Sequence, residues 1–228
     1  LDGADSGKIA LVCERLELAG LTDPFDLEVH LGDRVAVLGP NGTGKSHLLR
    51  LLAGDATVEH DGTFKLGARV MAGLFHQTDE RPEFAGKTPI QILATHDLNE
   101  HAALSALGRY AIAECGTRPY ETMSGGQRAR LQVLHLELLG VNLLLLDEPT
   151  DNLDLQSAEA LEAALAEFTG TVLAVTHDRW FLRGFDRYLI LDEDCSVSEA
   201  LDRDAALRVI TGDEAYEFSP AKLVPLST

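Results

Sequence analysis

The segment Gly39-Pro40-Asn41-Gly42-Thr43-Gly44-Lys45-Ser46 fits the pattern G-x-x-x-x-G-K-[ST]. That spacing suits the chemistry of a polyphosphate. Clustered phosphate oxygens need a cradle of backbone N–H groups, and side chains would crowd it. Glycine lets the backbone approach closely and turn sharply. Lys45 is placed to reach the β- and γ-phosphates of a nucleoside triphosphate, ATP or GTP, and the Ser46 hydroxyl to bind Mg2+. A helix beginning there adds its positive N-terminal end.

Further along, Leu143-Leu144-Leu145-Leu146-Asp147-Glu148 puts two carboxylates at the C-terminal end of an apolar run. In open α/β sheets ligands sit outside that edge. Asp147 is the acidic partner of Ser46 for the metal, directly or through water. Glu148, one residue on, faces the γ-phosphate and polarises a water for in-line attack. Pro149 keeps Glu148 out of helical geometry. His177 ends a second apolar run, 171–176, and donates to the γ-phosphate or orients Glu148 and the water. Gln77 follows a strand-like stretch ending at Phe75, and its amide is a candidate for the metal or the attacking water.

Plainer readings exist for each. Two acids can cap a strand end, a lone strand-end histidine is usually solvated, and Gln77 suits an ordinary loop. Their presence in one chain with the phosphate loop favours the chemical reading. Ser124-Gly125-Gly126-Gln127 is a second anion-binding design, with a hydroxyl and two glycines at a helix N-terminus. Ser124 and Gln127 also have capping-box spacing, so a simple cap accounts for the same residues.

These side chains need a frame. Residues 34–38 predict a buried strand entering the phosphate loop and 46–53 a helix leaving it, with Gly54 as its stop. Residues 9–18 and 25–31 predict antiparallel strands before the loop, and 63–75 continues strand-like with Gly67 and Gly73 as interruptions. Residues 88–113 predict short helices after Pro82 and Pro89. A helix then runs from Ser124 to about residue 139, a strand over 141–146, and an amphipathic helix over 157–168. Strands over 171–176 and 188–191 follow, with a last helix near 202–209. Alternation of strands and helices implies an α/β fold. The expected organisation is a single domain over 1–228. A catalytic core with an antiparallel β subdomain takes 1–77 and 140–228, and a small helical lobe takes 78–139.

Bulk properties narrow the class. Nineteen basic residues against 37 acidic ones give a net charge of −18 over 228 residues. Such a charge repels nucleic acid and anionic membrane from most of the surface, so direct DNA binding is not expected. No apolar run approaches the roughly 18–20 residues of a membrane span. The polar start, Leu1-Asp2-Gly3-Ala4-Asp5, is unlike a signal peptide, which points to a cytoplasmic location. It has no initiator Met, as in a processed chain or a fragment. Cys13, Cys115 and Cys195 are scattered and odd in number, which suits buried thiols in a reducing compartment.

Together these motifs resemble those of the ATP-binding-cassette ATPases over nearly the whole chain. Met123-Ser124-Gly125-Gly126-Gln127 is similar to that family's signature sequence, Asp147-Glu148-Pro149-Thr150 to its Walker B and catalytic glutamate, Asn152-Leu153-Asp154 to its D-loop, and Thr176-His177-Asp178 to its switch histidine. The resemblance implies a P-loop core of that type, ATP and Mg2+ as ligands, and hydrolysis at Glu148. It also implies a second cassette as partner. Two copies pack head to tail, each ATP lying between one phosphate loop and the partner's signature helix, with Asp154 contributing.

A finer resemblance is to the ABC-F branch, carried by Glu148-Pro149-Thr150-Asp151-Asn152-Leu153-Asp154 and His177-Asp178-Arg179-Trp180-Phe181-Leu182. That branch lacks transmembrane domains and acts on ribosomes, which implies translation or antibiotic resistance as the setting and a second cassette in tandem. The alternative is the ATP-binding subunit of a membrane transporter, since both use the same catalytic residues. Two departures stand out. Leu18 or Ala19 occupies the place of the family's adenine-stacking aromatic, with Phe25 as a substitute, and His47 replaces a small hydroxyl residue after Ser46.

Overall fold

The computed structural model describes residues 9–75, 81–151, 153–200 and 202–211. In chain order the strands are β1 (Ile9–Leu18), β2 (Phe25–His30), β3 (Arg34–Leu38), β4 (His60–Leu66), β5 (Ala72–Phe75), β6 (Leu143–Asp147), β7 (Thr171–Val175), β8 (Arg187–Leu191) and β9 (Val197–Ala200). The α-helices are α1 (Lys45–Leu52), α2 (Pro89–Ala94), α3 (Glu100–Arg109), α4 (Gly125–Leu138), α5 (Leu155–Glu167) and α6 (Arg203–Thr211). The fold is α/β, with the expected antiparallel β sheet and short helices. The chain packs as two units. The described residues up to Leu74, with Asn142–Glu148 and those from Gly170 onward, form the first; those of Phe75–Val141 and Pro149–Thr169 form the second.

In the first unit a six-stranded sheet has the order β5-β6-β7-β3-β8-β9. β3 runs parallel to β7 and β8, β6 parallel to β7, and β9 antiparallel to β8. All of β7 and the four leucines of β6 are buried. Continuous apolar runs with no polar alternation suit strands covered on both faces. The register levels three strand ends, because Val175 pairs with both Val37 and Asp147. The phosphate loop, the acids after β6 and the segment after β7 therefore leave the sheet at one edge.

A second sheet, β2-β1-β4, is antiparallel. Its inner side chains, among them Leu11, Leu16, Leu27 and Val29, join Leu48, Leu49 and Leu52 of α1 in one core. Each such leucine contributes about 1.5–3 kcal/mol by leaving water, and this core fixes the start of α1 behind the phosphate loop. The stretch 63–75 divides as expected at Gly67, where a Cβ would meet the Ile9 carbonyl oxygen at 2.2 Å. Gly73 interrupts nothing; it lies inside β5. β9 was not expected, and an ion pair ties it down: Arg187 Nε of β8 lies 2.7 Å from Glu199 Oε1. Cys13 and Cys115 are buried as expected, and burial with nearby Asp26 pushes the Cys13 thiol up to about 12. Cys195 departs from expectation. It is only partly buried, in a turn where its φ is +68°.

In the second unit each α-helix starts on a capping side chain. Thr88, Asn99, Ser124 and Asp154 each accept from the backbone N–H of the third residue of α2, α3, α4 and α5. α4 and α5 approach so closely that a Cβ at Gly126 would stand 2.7 Å from Ala160 Cβ. Arg130 Nε crosses the seam to the Ala160 carbonyl at 3.3 Å. Among the described residues, no helix is long and apolar enough to cross a membrane.

Candidate functional site

The phosphate loop leaves β3 at Leu38 and enters α1 at Lys45. Three of its glycines have left-handed φ: Gly39 at +134°, Gly42 at +89° and Gly44 at +99°. At Gly39 space makes the same demand, since a Cβ would lie 1.9 Å from the Leu191 carbonyl oxygen of β8. The Thr43 hydroxyl donates to the Pro40 carbonyl at 3.1 Å and tightens the turn. Asn41 is exposed at the tip.

Lys45 is 6% exposed. Its Nζ donates to the carbonyls of Gly39 (2.7 Å) and Pro40 (2.6 Å). An ammonium has three protons, so one remains for an incoming oxygen. Burial lowers the Lys45 pKa, and the carboxylates of Glu148 and Asp147 oppose that shift. Beside it the Ser46 hydroxyl donates to Asp147 Oδ1 at 3.0 Å. Hydroxyl and carboxylate oxygens suit a hard cation. Magnesium is commonly held by one or two carboxylates together with substrate phosphates. Among the described residues no group of three or more His, Cys, Asp or Glu could hold a metal. The Ser46 and Asp147 oxygens are a donor pair that fits an ion taking phosphate and water as its other ligands.

Glu148 is out of right-handed helical geometry, as Pro149 requires, yet it does not take the extended conformation usual before proline. Its φ is +43°, a left-handed conformation that costs about 1–3 kcal/mol. Its N–H donates to the Val175 carbonyl at 3.0 Å, which anchors the turn against β7. The carboxylate thereby meets the histidine beyond β7: Glu148 Oε1 lies 3.2 Å from His177 Nε2. Its two chain neighbours, which the sequence showed only as parts of the motif, brace the turn that carries that histidine. Thr176 is fully buried, and its hydroxyl accepts from Asp178 N–H at 3.0 Å. Asp178 Oδ1 in turn accepts from Trp180 N–H at 2.8 Å. The Asp178 turn was legible as an aspartate bonding backbone two residues on; the motif includes Thr176, but the bond its hydroxyl makes was not legible.

A glycine-framed loop, a buried lysine, a serine–aspartate pair and a glutamate–histidine pair thus stand at one sheet edge. Residues 22–151, more than half of the chain, match the family model described as ABC transporter. The chain belongs to the ABC transporter family.

Among its relatives, the cassette is 50% identical over 223 residues to an "Antibiotic resistance protein" of Mycobacteroides abscessus, covering 89% of this chain and 40% of that one. It is 39% identical over 160 residues to "ABC transporter F family member 4" of Arabidopsis thaliana, covering 67% and 22%. It is 35% identical over 170 residues to "Energy-dependent translational throttle protein EttA" of Escherichia coli K12, covering 71% and 30%. The cassette therefore spans less than half the length of each. In fold it is similar to a solved cassette from Clostridium perfringens, cbiO1, with a TM-score of 0.72 at 19% identity over 90% of this chain and 92% of that one.

The cassette's remaining site candidates lie in the second unit. Ser124 and Gln127 form a complete capping box: Gln127 N–H donates to Ser124 Oγ at 3.2 Å and Ser124 N–H to Gln127 Oε1 at 2.9 Å. Gly125 and Gly126 meet α5, where a Cβ on Gly125 would be 3.0 Å from Ser157 Oγ. Helix packing therefore requires a glycine at 126 on its own account, while at 125 it leaves little room beside the Ser157 hydroxyl. Asp154 caps α5 through Ser157 N–H at 2.7 Å, and hydrogen bonds from Ser157 hold its carboxyl below the usual range. The signature and D-loop residues thus sit at neighbouring helix N-termini. Gln77 lies outside the described residues.

Proposed function

We propose that this chain binds Mg2+-ATP on residues 39–46 and hydrolyses it with Glu148 as general base and His177 as its orienting partner. The observation that carries the reading is the 3.2 Å pair of Glu148 and His177 at the sheet edge that also presents Lys45 and the Ser46–Asp147 pair. Backbone N–H groups of the loop and the remaining Lys45 proton hold the β- and γ-phosphates. Ser46 and Asp147 would hold magnesium, with Gln77 as the further ligand that the sequence suggests, and the ion would supply charge neutralisation at those oxygens. Water attacks the γ-phosphorus, its proton passes to Glu148, and the bond to the bridging oxygen breaks to give ADP and phosphate.

The site is half of a larger one. Ser124, Gly125, Gly126, Gln127 and Asp154 serve the nucleotide of a second cassette, supplied by another part of a longer protein or by another copy of this chain. Similarity to an F-family member, to a translational throttle and to an antibiotic resistance protein supports an ABC-F-type role on the ribosome. The test is phosphate release from ATP by the purified chain, with and without magnesium, alongside co-sedimentation with ribosomes. Magnesium-dependent release that Glu148→Gln abolishes is expected. Release without a divalent cation would overturn the mechanism, and pelleting only with membranes would overturn the ribosomal role.

A further inference from the structure

We propose that Trp180, with Arg179 and Arg183 beside it, is a docking platform for an unpaired base of RNA. The inference deepens the ribosomal reading above and takes the class of partner from it. Trp180 is the single tryptophan of the chain, and it is 64% exposed. An indole is usually mostly buried. Here the turn beyond β7 holds the ring outside. The Trp180 backbone N–H donates to Asp178 Oδ1 at 2.8 Å, and the next two residues, Phe181 and Leu182, are buried. They open the 3-10 helix Phe181–Gly184, and the Phe181 ring packs against that of Phe185 with centroids 5.3 Å apart. The indole therefore stands on a packed base.

One face of the ring is taken. The Arg183 guanidinium lies over it, 3.7 Å from the ring centroid. With that face covered, the exposure falls to the opposite face and the ring edges. A guanidinium on one side and a bare π face on the other form a stack that one more flat ring completes. Unpaired bases of single-stranded RNA stack in this way on aromatic rings and arginine planes.

A chain of net charge −18 repels polyanions from most of its surface. At Trp180 the balance reverses locally. Arg179 and Arg183 are exposed, and among the described residues neither has an ion-pair partner. The nearest acids in sequence are engaged elsewhere: Asp178 caps the turn, and the charge of Asp186 acts on Arg34. Two cations thus flank the ring, placed for the phosphates on either side of a stacked base. An acidic peptide would meet the arginines and leave the indole face bare. RNA meets both, and that favours it.

The probe is a single-stranded oligoadenylate without terminal phosphate, added to the 228-residue chain at about 50 mM salt, where phosphate contacts are strong. Trp180 is the only fluorescent indole, so its emission reads this place directly. Saturable quenching is expected. Anisotropy of the labelled oligonucleotide follows the variants. Trp180→Leu is expected to weaken binding at least about fivefold, and Trp180→Phe, which keeps a π face, to recover much of it. Arg179→Ala and Arg183→Ala are each expected to lower the steepness of log K against log salt by about 0.7. Absence of quenching overturns the inference, as does binding unmoved by Trp180→Leu. So does polyglutamate that quenches as strongly as the RNA, which would make the partner an acidic protein. Ribosome pelleting separates this inference from the reading beneath it. If the chain pellets with ribosomes and Trp180→Leu pellets equally, the platform falls and the ribosomal role stands. If the oligonucleotide binds through Trp180 but ribosomes never retain the chain, the ribosomal role falls and the platform stands.

Discussion

Glu148 Oε1 and His177 Nε2 stand 3.2 Å apart at the ends of neighbouring parallel strands. An ionised carboxylate only accepts hydrogen bonds, so the imidazole N–H is what aims it. The strained φ of +43° at Glu148 and the Thr176–Asp178 bond fix the two sides of the pair. Glu148→Gln keeps the shape and removes the base. Phosphate release is expected to fall about 10²–10⁴-fold with nucleotide affinity retained. His177→Ala is expected to cost about 10–100-fold, and the double variant to be no slower than Glu148→Gln, because the two act as one unit. Single-turnover phosphate release checks both; near-normal turnover by Glu148→Gln would remove the assigned base.

Lys45 is buried, and two of its protons are engaged by loop carbonyls. Its replacement therefore has two effects. Lys45→Met keeps the aliphatic stem and removes the charge, and it is expected to weaken Mg2+-ATP at least about tenfold, or 1.4 kcal/mol. Lys45→Ala also leaves a void beside the Gly39 and Pro40 carbonyls, so it is expected to lower the melting temperature more than Lys45→Met does. Calorimetric titration and thermal unfolding separate the two. Unchanged affinity in both variants would refute the cradle.

Much of this site could be read directly from residues. The phosphate loop is written in glycines whose φ values only glycine adopts easily, and β6 and β7 in apolar runs with nothing polar between. The level register of Val37, Val175 and Asp147 could not be read, because pairing is a property of the sheet. β9 escaped for a physical reason. Its four residues are all partly buried, follow an acidic turn, and carry no alternation. What holds it is Arg187, which also reaches Asp33 at 2.7 Å, and no sequence periodicity encodes an ion pair. The double duty of Gly125 and Gly126 was equally hidden, since their contacts with Ser157 and Ala160 come from a distant helix.

That contact predicts a contrast between two glycines. At Gly126 an added methyl would lie 2.7 Å from Ala160 Cβ and 3.1 Å from Ser157 Cα, and neither neighbour can rotate away. Gly126→Ala is expected to destabilise the fold by about 1–3 kcal/mol. At Gly108, inside α3, nothing lies within 4 Å of the added methyl. Gly108→Ala is expected to stabilise by about 0.5–1 kcal/mol through helix propensity. Urea unfolding of both variants measures the pair, and equal shifts would contradict the packing account.

His135 of α4 predicts a pH window. Its Nδ1 is 2.9 Å from His96 Nε2, its ring packs edge-on against Phe84, and Arg81 and Glu83 face it. Burial first, then His96 and Arg81, push its pKa down to about 4, with Glu83 opposing. The unfolded chain, with an ordinary histidine near 6.5, takes up the proton first. Stability is therefore complete above about pH 6.5 and is lost as pH falls towards 4. Solvent screening at this partly buried ring keeps the loss to about 1–2 kcal/mol. The Asp55 carboxyl is held near 2 by hydrogen bonds from Thr57 and Arg50, so its contribution disappears only below about pH 4. His135→Leu is expected to flatten the stability profile between pH 4 and 6.5. A slope there that survives the substitution would assign the window to other groups.

Ser124 tests the shared site. Its hydroxyl caps α4 through Gln127 N–H, while its exposed position leaves the helix N-terminus open to an anion from outside. Ser124→Ala removes the cap alone, at about 1 kcal/mol of stability. Ser124→Arg removes the same cap and adds a long side chain where the partner cassette's phosphates would dock. Both variants are expected to bind Mg2+-ATP as the unaltered chain does, since Lys45 and Ser46 are untouched. In the Glu148→Gln background, where ATP persists, ATP-dependent pairing is expected to survive Ser124→Ala and vanish with Ser124→Arg. Light scattering with and without ATP reads the difference. Pairing that persists in Ser124→Arg would mean that copies associate without sandwiching nucleotide against α4, and each cassette would then have to work alone.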